Sequence, residues 1–190
     1  LQLPYHVFSV DLMQREQKQE DFLALNPNGR IPVIVDHEND QLPVFESGAI
    51  LVYLAEKTGK YLPKEMKGRS QVMQWLMFQM SAVGPMMGQL NVFRRYFPVE
   101  LPEAINRYHN ETERLFGILD LLLSEKEFVL ETHSIADIAI WAWVYTHRWS
   151  GVSLDGFPNL LRWKRQLRAR DAYQKGISIP QKTGRLLDTK

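Results

Sequence analysis

The chain has 190 residues, of which 45% are hydrophobic and 24% charged, and its formal net charge is +1 at pH 7. This length suits one large or two small domains, and a nearly neutral chain has no global field that would attract nucleic acid or an anionic membrane. The absence of cysteine excludes disulfides, thiolate metal sites and a cysteine nucleophile within these residues, and it fits a reducing compartment such as the cytoplasm. The five histidines show no metal-ligand spacing. No segment has the ~20 apolar residues of a membrane span, and no signal peptide is recognisable.

Strand and helix patterns alternate over the first part of the chain, which predicts a small α/β unit. A Pro after Asn26 ends the first helix, and Gly59 is placed to end the second. The run "VIVD" has the length and apolar character of a strand covered on both faces. In chain order the pattern predicts a strand at 5–12, a helix at 18–26, strands at 31–37 and 42–46, and a helix at 47–59.

Helical patterns dominate the rest of the chain, which predicts an all-helical unit. A long helix at 70–96 is expected to bend at Gly84-Pro85, and Leu101-Pro102 opens the next helix, which runs to about residue 124. Further helices are expected after Ser134 and after Phe157-Pro158. The predicted domains are residues 1–62 and 70–190, joined by a linker at 63–69.

Glu46 and Ser47 lie where a strand ends and a helix begins. A helix N-terminus presents unpaired N–H groups and a partial positive charge, so it can bind a carboxylate. Ser47 would add a donor and Glu46 could accept from an ammonium, which together would hold an α-amino-acid head group. The other interpretation is that Ser47 is simply the N-cap of the helix.

Ile31-Pro32 precedes the first apolar strand and also has two interpretations. An X–Pro bond can be cis, and the backbone of Ile31 could then face outward and pair with an extended peptide. Alternatively, Pro32 is an ordinary trans proline at the first residue of a strand.

The order of these features resembles the glutathione site in the thioredoxin-like domain of the glutathione transferases. The stretch "HSIADIAIW" resembles the capping box that opens a core helix in those proteins. Three stretches are similar to the nu-class transferases and the fungal nitrogen-regulator prion family: "EQKQEDFLALNPNGRIPVIVDHENDQLPVFESGAILVYLAEKTG", "WLMFQMSAVGPMMGQLNVFRRYF" and "AINRYHNETERLF". The resemblance runs to about residue 176. It implies the glutathione transferase fold, with an α/β thioredoxin-like domain, incomplete at its start, followed by an all-α domain.

The resemblance also implies roles for six residues in binding glutathione. Gln17 would lie near the glycyl end, and the backbone of Ile31 would pair with the cysteinyl unit. Pro32 matches the cis-proline, and Glu46 with Ser47 matches the clamp on the γ-glutamyl unit. Arg107 matches an arginine that reaches the bound ligand. Gln17 as a solvated loop residue and Arg107 as a helix-surface charge remain the alternatives.

No residue in the sequence is an evident donor to the glutathione sulfur. In the resembling enzymes these donors lie in a turn that follows a first strand, before the strand expected at the start of this chain. We therefore expect the first strand and helix of the domain, and the thiol-activating residue with them, to lie upstream of Leu1. The catalytic residue is left unassigned.

Two further patterns also have two interpretations each. Met86 and Met87 follow the expected helix bend and either pack in the core or line an adaptable pocket for a second substrate. The basic run "RWKRQLRAR" is interpreted as a solvated helix side and not as a nucleic-acid patch.

Three functions are compatible with the sequence. The first is a transferase that conjugates glutathione to small electrophiles or reduces disulfides through bound glutathione. The second is a glutathione-binding regulatory protein with little catalysis, and the third is a structural dimer module. The resemblance implies a cytoplasmic homodimer that binds glutathione or its disulfide, without a metal, nucleic acid or membrane partner.

Overall fold

The computed structural model describes residues 1–180 and shows a small α/β unit followed by a helical unit. The predicted domain 70–190 therefore extends beyond the described residues. A short 3-10 helix covers Glu16–Lys18. The strands are β1 (Val33–Asp36) and β2 (Leu42–Phe45), and the α-helices are α1 (Glu20–Leu25), α2 (Ser47–Thr58), α3 (Met66–Phe78), α4 (Gly84–Asn91), α5 (Pro102–Leu122), α6 (Ile135–Tyr145), α7 (Pro158–Arg168) and α8 (Asp171–Gly176).

The strands β1 and β2 form an antiparallel hairpin that α2 follows directly. Val33 pairs with Phe45 and Asp36 pairs with Leu42, so the hairpin turn lies between residues 36 and 42. At that turn Asp36 accepts hydrogen bonds from the Tyr53 hydroxyl at 2.6 Å and from Lys57 Nζ at 2.6 Å. These contacts anchor α2 to the end of β1. As predicted, Gly59 ends α2 in the left-handed region, with φ of 64°.

The strand predicted at 5–12 is not formed, and this prediction is wrong. A strand needs a neighbour that takes its backbone hydrogen bonds, and within residues 1–180 the sheet consists of β1 and β2 alone. Phe8 and Met13 are 84% and 85% exposed. For the same reason β1 is half-buried, where the sequence predicted a strand covered on both faces.

The long helix predicted at 70–96 is a continuous helical run that contains two π-helical turns. The run begins at Met66, inside the expected linker, because the Glu65 carboxylate accepts from Gly68 N at 2.6 Å and caps α3. The first π-helical turn, 79–83, lies immediately before Gly84-Pro85, and the second covers 92–96. Pro85 has no N–H and its ring crowds the preceding turn, so a wider turn at this position accommodates it.

Helix α6 lies at the centre of the helical unit. The predicted capping box is present: Ser134 N donates to Asp137 Oδ2 at 3.0 Å, and Ala136 N donates to Ser134 Oγ at 3.3 Å. The backbone of Tyr61 accepts from Ile135 N at 3.0 Å and joins the α/β unit to this helix. The side chains with no measurable exposure include Leu76, Val83, Met87, Leu90, Phe116, Leu119, Ile140, Val144, Leu160, Trp163 and Leu167.

Among residues 1–180, every helix is too short or too polar to span a lipid bilayer.

Candidate functional site

The open end of the β1–β2 hairpin brings four of the six predicted site residues together. Val33 at the start of β1 pairs with Phe45 at the end of β2. The residues just before β1, Ile31 and Pro32, therefore lie at the same end of the hairpin as Glu46 and Ser47, which follow β2. The first turn of α2 therefore starts beside the segment that leads into β1. Asn28 Nδ2 donates a hydrogen bond to Glu46 Oε1 at 3.1 Å, which links the segment before β1 directly to the start of α2.

Ser47 is not the N-cap of α2. Glu46 occupies the N-cap position without a capping side-chain bond, and Ser47 is the first helical residue. The Ser47 side chain is exposed, and within residues 1–180 its hydroxyl makes no hydrogen bond. The first N–H groups of α2 have no intrahelical acceptor, because the ladder begins with Ile50 N donating to Glu46 O at 2.9 Å. Among the described residues, a free hydroxyl and N–H groups without an intrahelical acceptor thus meet at one helix start.

Glu46 is held in an unusual backbone conformation. Its φ of 68° lies in the left-handed region, which non-glycine residues rarely adopt. Its carboxylate is exposed and is positioned by Asn28. The turn that presents Asn28 is closed by Asn26, which accepts from Asn28 N at 3.0 Å and donates from Nδ2 to Arg30 O at 2.6 Å. Positive φ values cluster at functional sites, where the surrounding structure enforces them.

Sequence reasoning missed Asn28 as a site residue. The available signal was the Asn-Pro-Asn-Gly turn, because Asn side chains in such turns hydrogen-bond to nearby backbone. That signal predicts the turn, but the contact with Glu46 depends on the hairpin register.

Ile31 is an exposed residue whose backbone groups are unpaired among the described residues. The residue is 49% exposed, and within the described chain neither its N–H nor its C=O makes a hydrogen bond. The Ile31-Pro32 peptide bond is cis, as the resemblance implies. A donor and an acceptor are therefore available beside the start of α2.

Gln17 lies next to the same turn, on the short 3-10 helix. A Cβ added at Gly29 would lie 2.9 Å from the Gln17 carbonyl oxygen, so this helix packs closely on the turn that carries Asn28. Gln17 is half-buried, and its Oε1 atom is buried without a hydrogen-bond partner among residues 1–180. Lys18 donates from Nζ to Asn28 O at 3.2 Å and adds a cation here. Gln17 is thus not a solvated loop residue.

Arg107 belongs to the helical unit, whereas the other five residues belong to the α/β unit. It occupies the second turn of α5 and is exposed, and no hydrogen bond or ion pair in residues 1–180 connects it to them. Its charge helps to lower the pKa of Glu111, although the main cause is the hydrogen bond from Arg114. The geometry therefore leaves both interpretations of Arg107 open.

The ion pair beneath α2 has strongly shifted titration. The Lys57 ammonium, followed by the Tyr53 hydroxyl, hydrogen-bonds to Asp36 and lowers the pKa of that carboxyl to about 2. The same contact raises the pKa of Lys57, with help from Glu38 at 2.9 Å. The pair lies at the hairpin turn, at the opposite end of the hairpin from Ser47, so it supports α2 without occupying the candidate site.

A cavity of about 530 Å³ lies where the second π-helical turn meets the start of α5. Met86 and Met87 do not line it. Met87 is fully buried and Met86 packs against the core, so the structure favours the core interpretation for both. The lining residues are Phe93, Arg94, Phe97, Pro98, Val99, Glu100 and Ile105. Tyr108, the neighbour of Arg107, stacks on Phe93 with ring centroids 5.6 Å apart.

Comparisons with known proteins agree with this fold. A family model described as "Glutathione S-transferase, N-terminal domain" matches residues 1–56. Disulfide-bond oxidoreductase YfcG of Escherichia coli is 41% identical over 176 residues, which cover 90% of this chain and 82% of the relative. Protein URE2 of Candida albicans is 36% identical over 136 residues, covering 68% and 40%.

A solved structure extends the likeness to the whole fold. The glutathione transferase from Pseudomonas putida, with one glutathione disulfide bound per subunit, matches with a TM-score of 0.88 and 39% identity, covering 94% of this chain and 82% of that one. The thioredoxin-like α/β unit with a helical second unit is thereby confirmed. Residues 1–180 contain no group of His, Asp and Glu side chains that could hold a metal ion. The chain belongs to the glutathione transferase family.

Proposed function

We propose that this chain binds glutathione at the open end of the β1–β2 hairpin and uses it for disulfide reduction or conjugation. The observation that carries the proposal is the start of α2, where, within residues 1–180, the Ser47 hydroxyl and the first N–H groups are unpaired beside the exposed carboxylate of Glu46. A ligand with a carboxylate and an ammonium on one carbon matches this pair of groups, and the γ-glutamyl end of glutathione is such a ligand.

The γ-glutamyl head would be held by complementary charges. Its carboxylate accepts from the N-terminal N–H groups of α2 and from Ser47, where the helix dipole favours negative charge. Its ammonium donates to Glu46, whose carboxylate Asn28 already orients at 3.1 Å. Hydrogen bonds to charged groups contribute about 1.5–3 kcal/mol each, so this clamp would supply much of the affinity.

The peptide part of glutathione would extend along Ile31. The unpaired N–H and C=O of this residue can bind the cysteinyl unit as an added strand would. The glycyl end then reaches towards Gln17 and Lys18, which pack on the same turn. Lys18 supplies a cation for the glycyl carboxylate. The side-chain amide of Gln17, whose Oε1 has no partner among residues 1–180, can donate from Nε2 to the same carboxylate. Pro32 fixes the segment that presents Ile31.

Arg107 would contribute to the second carboxylate or to a second glutathionyl unit. The P. putida transferase binds glutathione disulfide, a ligand with twice the carboxylates of glutathione. An arginine fork fits a carboxylate well, and no acidic residue within residues 1–180 forms an ion pair with Arg107.

A small electrophile or disulfide would occupy the cavity between Phe93 and Ile105. Its volume of about 530 Å³ is in the range of small-molecule sites. The aromatic rings of Phe93 and Phe97 offer apolar surface, and Arg94 offers a positive charge at the rim. The relative YfcG is named a disulfide-bond oxidoreductase, which favours disulfide reduction as the activity to test first.

We also propose a cytoplasmic homodimer. Reduced glutathione is maintained in the cytosol, and the chain has no cysteine that would need an oxidising compartment. Family membership supports a second copy of the chain as the partner. The helical run 66–96 also exposes apolar side chains that a second copy could cover, namely Met66, Met77, Val92 and Tyr96. Light scattering should give twice the chain mass, and a monomer at micromolar concentration would contradict the dimer.

Calorimetric titration with glutathione and with its disulfide tests the proposed function. Both should bind with one site per chain, and Glu46→Gln should weaken both because it removes the charge that pairs with the ammonium. Turnover is then measured with a glutathione mixed disulfide and with a chloronitrobenzene. Binding without turnover of either substrate would favour a regulatory role, and a lack of binding would overturn the site.

A further inference from the structure

Lys164 on α7 is a half-buried lysine that contacts an imidazole instead of a carboxylate. Its Nζ lies 2.9 Å from Nε2 of His147. The other ring nitrogen, Nδ1, lies 2.7 Å from the carbonyl oxygen of Val152, which can only accept. Nδ1 therefore carries the proton, and Nε2 presents a lone pair to Lys164. Within residues 1–180 no carboxylate forms an ion pair with Lys164.

Three arginines lie close to this amine along the chain: Arg165 is the next residue on α7, Arg168 follows one helical turn later, and Arg148 is the neighbour of His147. Burial, followed by the charges of Arg148, Arg168 and Arg165, lowers the pKa of Lys164 to about 8. Burial lowers the pKa of His147, and the negative charge of Asp155 raises it by less. Tyr145 lies under Arg168, with the guanidinium carbon 5.6 Å from the ring centre, so the arginine is held on this face of the molecule.

Lys57 provides the opposite case in the same chain. Asp36 and Glu38 both pair with its ammonium and raise its pKa. Lys164 instead contacts the lone pair of an imidazole, and its pKa is lowered where that of Lys57 is raised. Of these two lysines, Lys164 is therefore the better nucleophile at mildly alkaline pH.

We propose that Lys164 is a carbon dioxide site, where the amine and CO2 form a carbamate. The nitrogen lone pair attacks the carbon of CO2, a C–N bond forms, and one C=O bond becomes the carboxylate C–O⁻. One proton leaves the nitrogen, is accepted by Nε2 of His147 and passes to solvent. The product is Lys–NH–COO⁻, and no oxidant, metal or further reactant takes part.

The surroundings of Lys164 favour an anionic adduct. The carbamate carries a negative charge, which the nearby Arg148, Arg165 and Arg168 attract, whereas the same three charges disfavour the ammonium. The remaining N–H of the adduct can donate to His147 Nε2, which replaces the hydrogen bond that the ammonium made. An acyl group would instead leave a neutral amide that uses none of the three guanidiniums. These charges therefore select CO2 over a neutral acylating reagent.

NMR with ¹³C-bicarbonate near pH 8 tests the proposal. Wild type should show a saturable carbamate resonance that belongs to Lys164. Lys164→Arg should lose this resonance, and the control Lys57→Arg should keep it. Alkyl trapping of the carbamate followed by peptide mass spectrometry should place the adduct on residue 164.

The arginines provide the second test. Arg148→Gln and Arg165→Gln should each weaken the apparent CO2 affinity by about twofold to fivefold, the range of an exposed charge pair. Lys175→Gln removes a cation that does not act on Lys164 and should change nothing. Circular dichroism verifies that each variant is folded. Carbamate that persists in folded Lys164→Arg, or an adduct trapped equally on Lys57, would overturn the proposal.

Discussion

Ser47 and Ser134 both stand at helix starts but differ in what their hydroxyls contact, which gives a sharp test of the candidate site. Ser134 is buried, caps α6 and shares the Asp137 carboxylate. Ser47 is exposed at the first position of α2 and makes no hydrogen bond within the described residues. We therefore expect Ser47→Ala to affect ligand binding and Ser134→Ala to affect stability.

The magnitudes follow from these contacts. Ser47→Ala removes a donor to a bound carboxylate, worth about 1.5–3 kcal/mol, and should raise the Kd for glutathione by roughly tenfold or more. Its effect on the free energy of unfolding should stay within about 0.5 kcal/mol, as for other surface substitutions. Ser134→Ala removes a cap worth about 1 kcal/mol and a donor to a buried carboxylate worth about 1–3 kcal/mol, while Kd should hardly change.

Calorimetry for Kd and urea unfolding for stability measure the two effects on the same four samples: wild type, each single variant and the double variant. The two sites lie in different units of the fold, so their effects should add. If Ser47→Ala lowers stability as much as Ser134→Ala and leaves Kd unchanged, Ser47 has a structural role and the clamp on the γ-glutamyl head is refuted.

Three other predictions concern charge and packing. Arg107→Ala should weaken binding of glutathione disulfide more than of glutathione, because the disulfide carries twice the carboxylates. Equal losses of affinity for the two ligands in calorimetry would show that Arg107 is a helix-surface charge that does not bind the ligand. Asp36→Asn should destabilise the fold at neutral pH. Because the folded pKa of about 2 lies below the ordinary 3.8, this stabilisation is present above about pH 4 and is lost as pH falls through 2, so the unfolding curves of wild type and variant should converge there. Leu119→Ala removes a fully buried side chain and should cost about 2–5 kcal/mol in urea unfolding; a cost below 1 kcal/mol would show that the core collapses around the gap.

Local patterns predicted most of the helices and their ends. The capping box at Ser134 and the terminal glycine at 59 act through contacts within a few residues, so the sequence contains the needed information. The prediction of a strand at 5–12 was wrong because a β-strand needs a neighbouring strand, and a local sequence pattern does not reveal whether one is present. Helix α8 and the π-helical turn at 92–96 were also missed, since short or irregular elements have weak periodicity.

The candidate site was predicted in part for the same reason. Glu46 and Ser47 could be identified because a strand-to-helix junction is visible in the sequence. The sequence could not predict that the Ser47 hydroxyl is free. The N-cap residue is Glu46, which has a positive φ, so Ser47 is the first residue inside the helix. Asn28 and Lys18 were missed because their contacts depend on how the turn at 26–30 packs against the hairpin. Arg107 rests on resemblance alone.

The Asp137 carboxylate links three parts of the helical unit. Its Oδ1 accepts from Val129 N at 2.9 Å and from Trp163 Nε1 at 3.1 Å, while Oδ2 accepts from Ser134 N at 3.0 Å. One carboxylate thus links the start of α6 to the loop before it and to α7. Local opening of either one would remove a donor from this buried carboxylate, so α6 and α7 should open as one cooperative unit. Their amide hydrogens should exchange with solvent at a common rate, slower than those of the exposed segment 1–13.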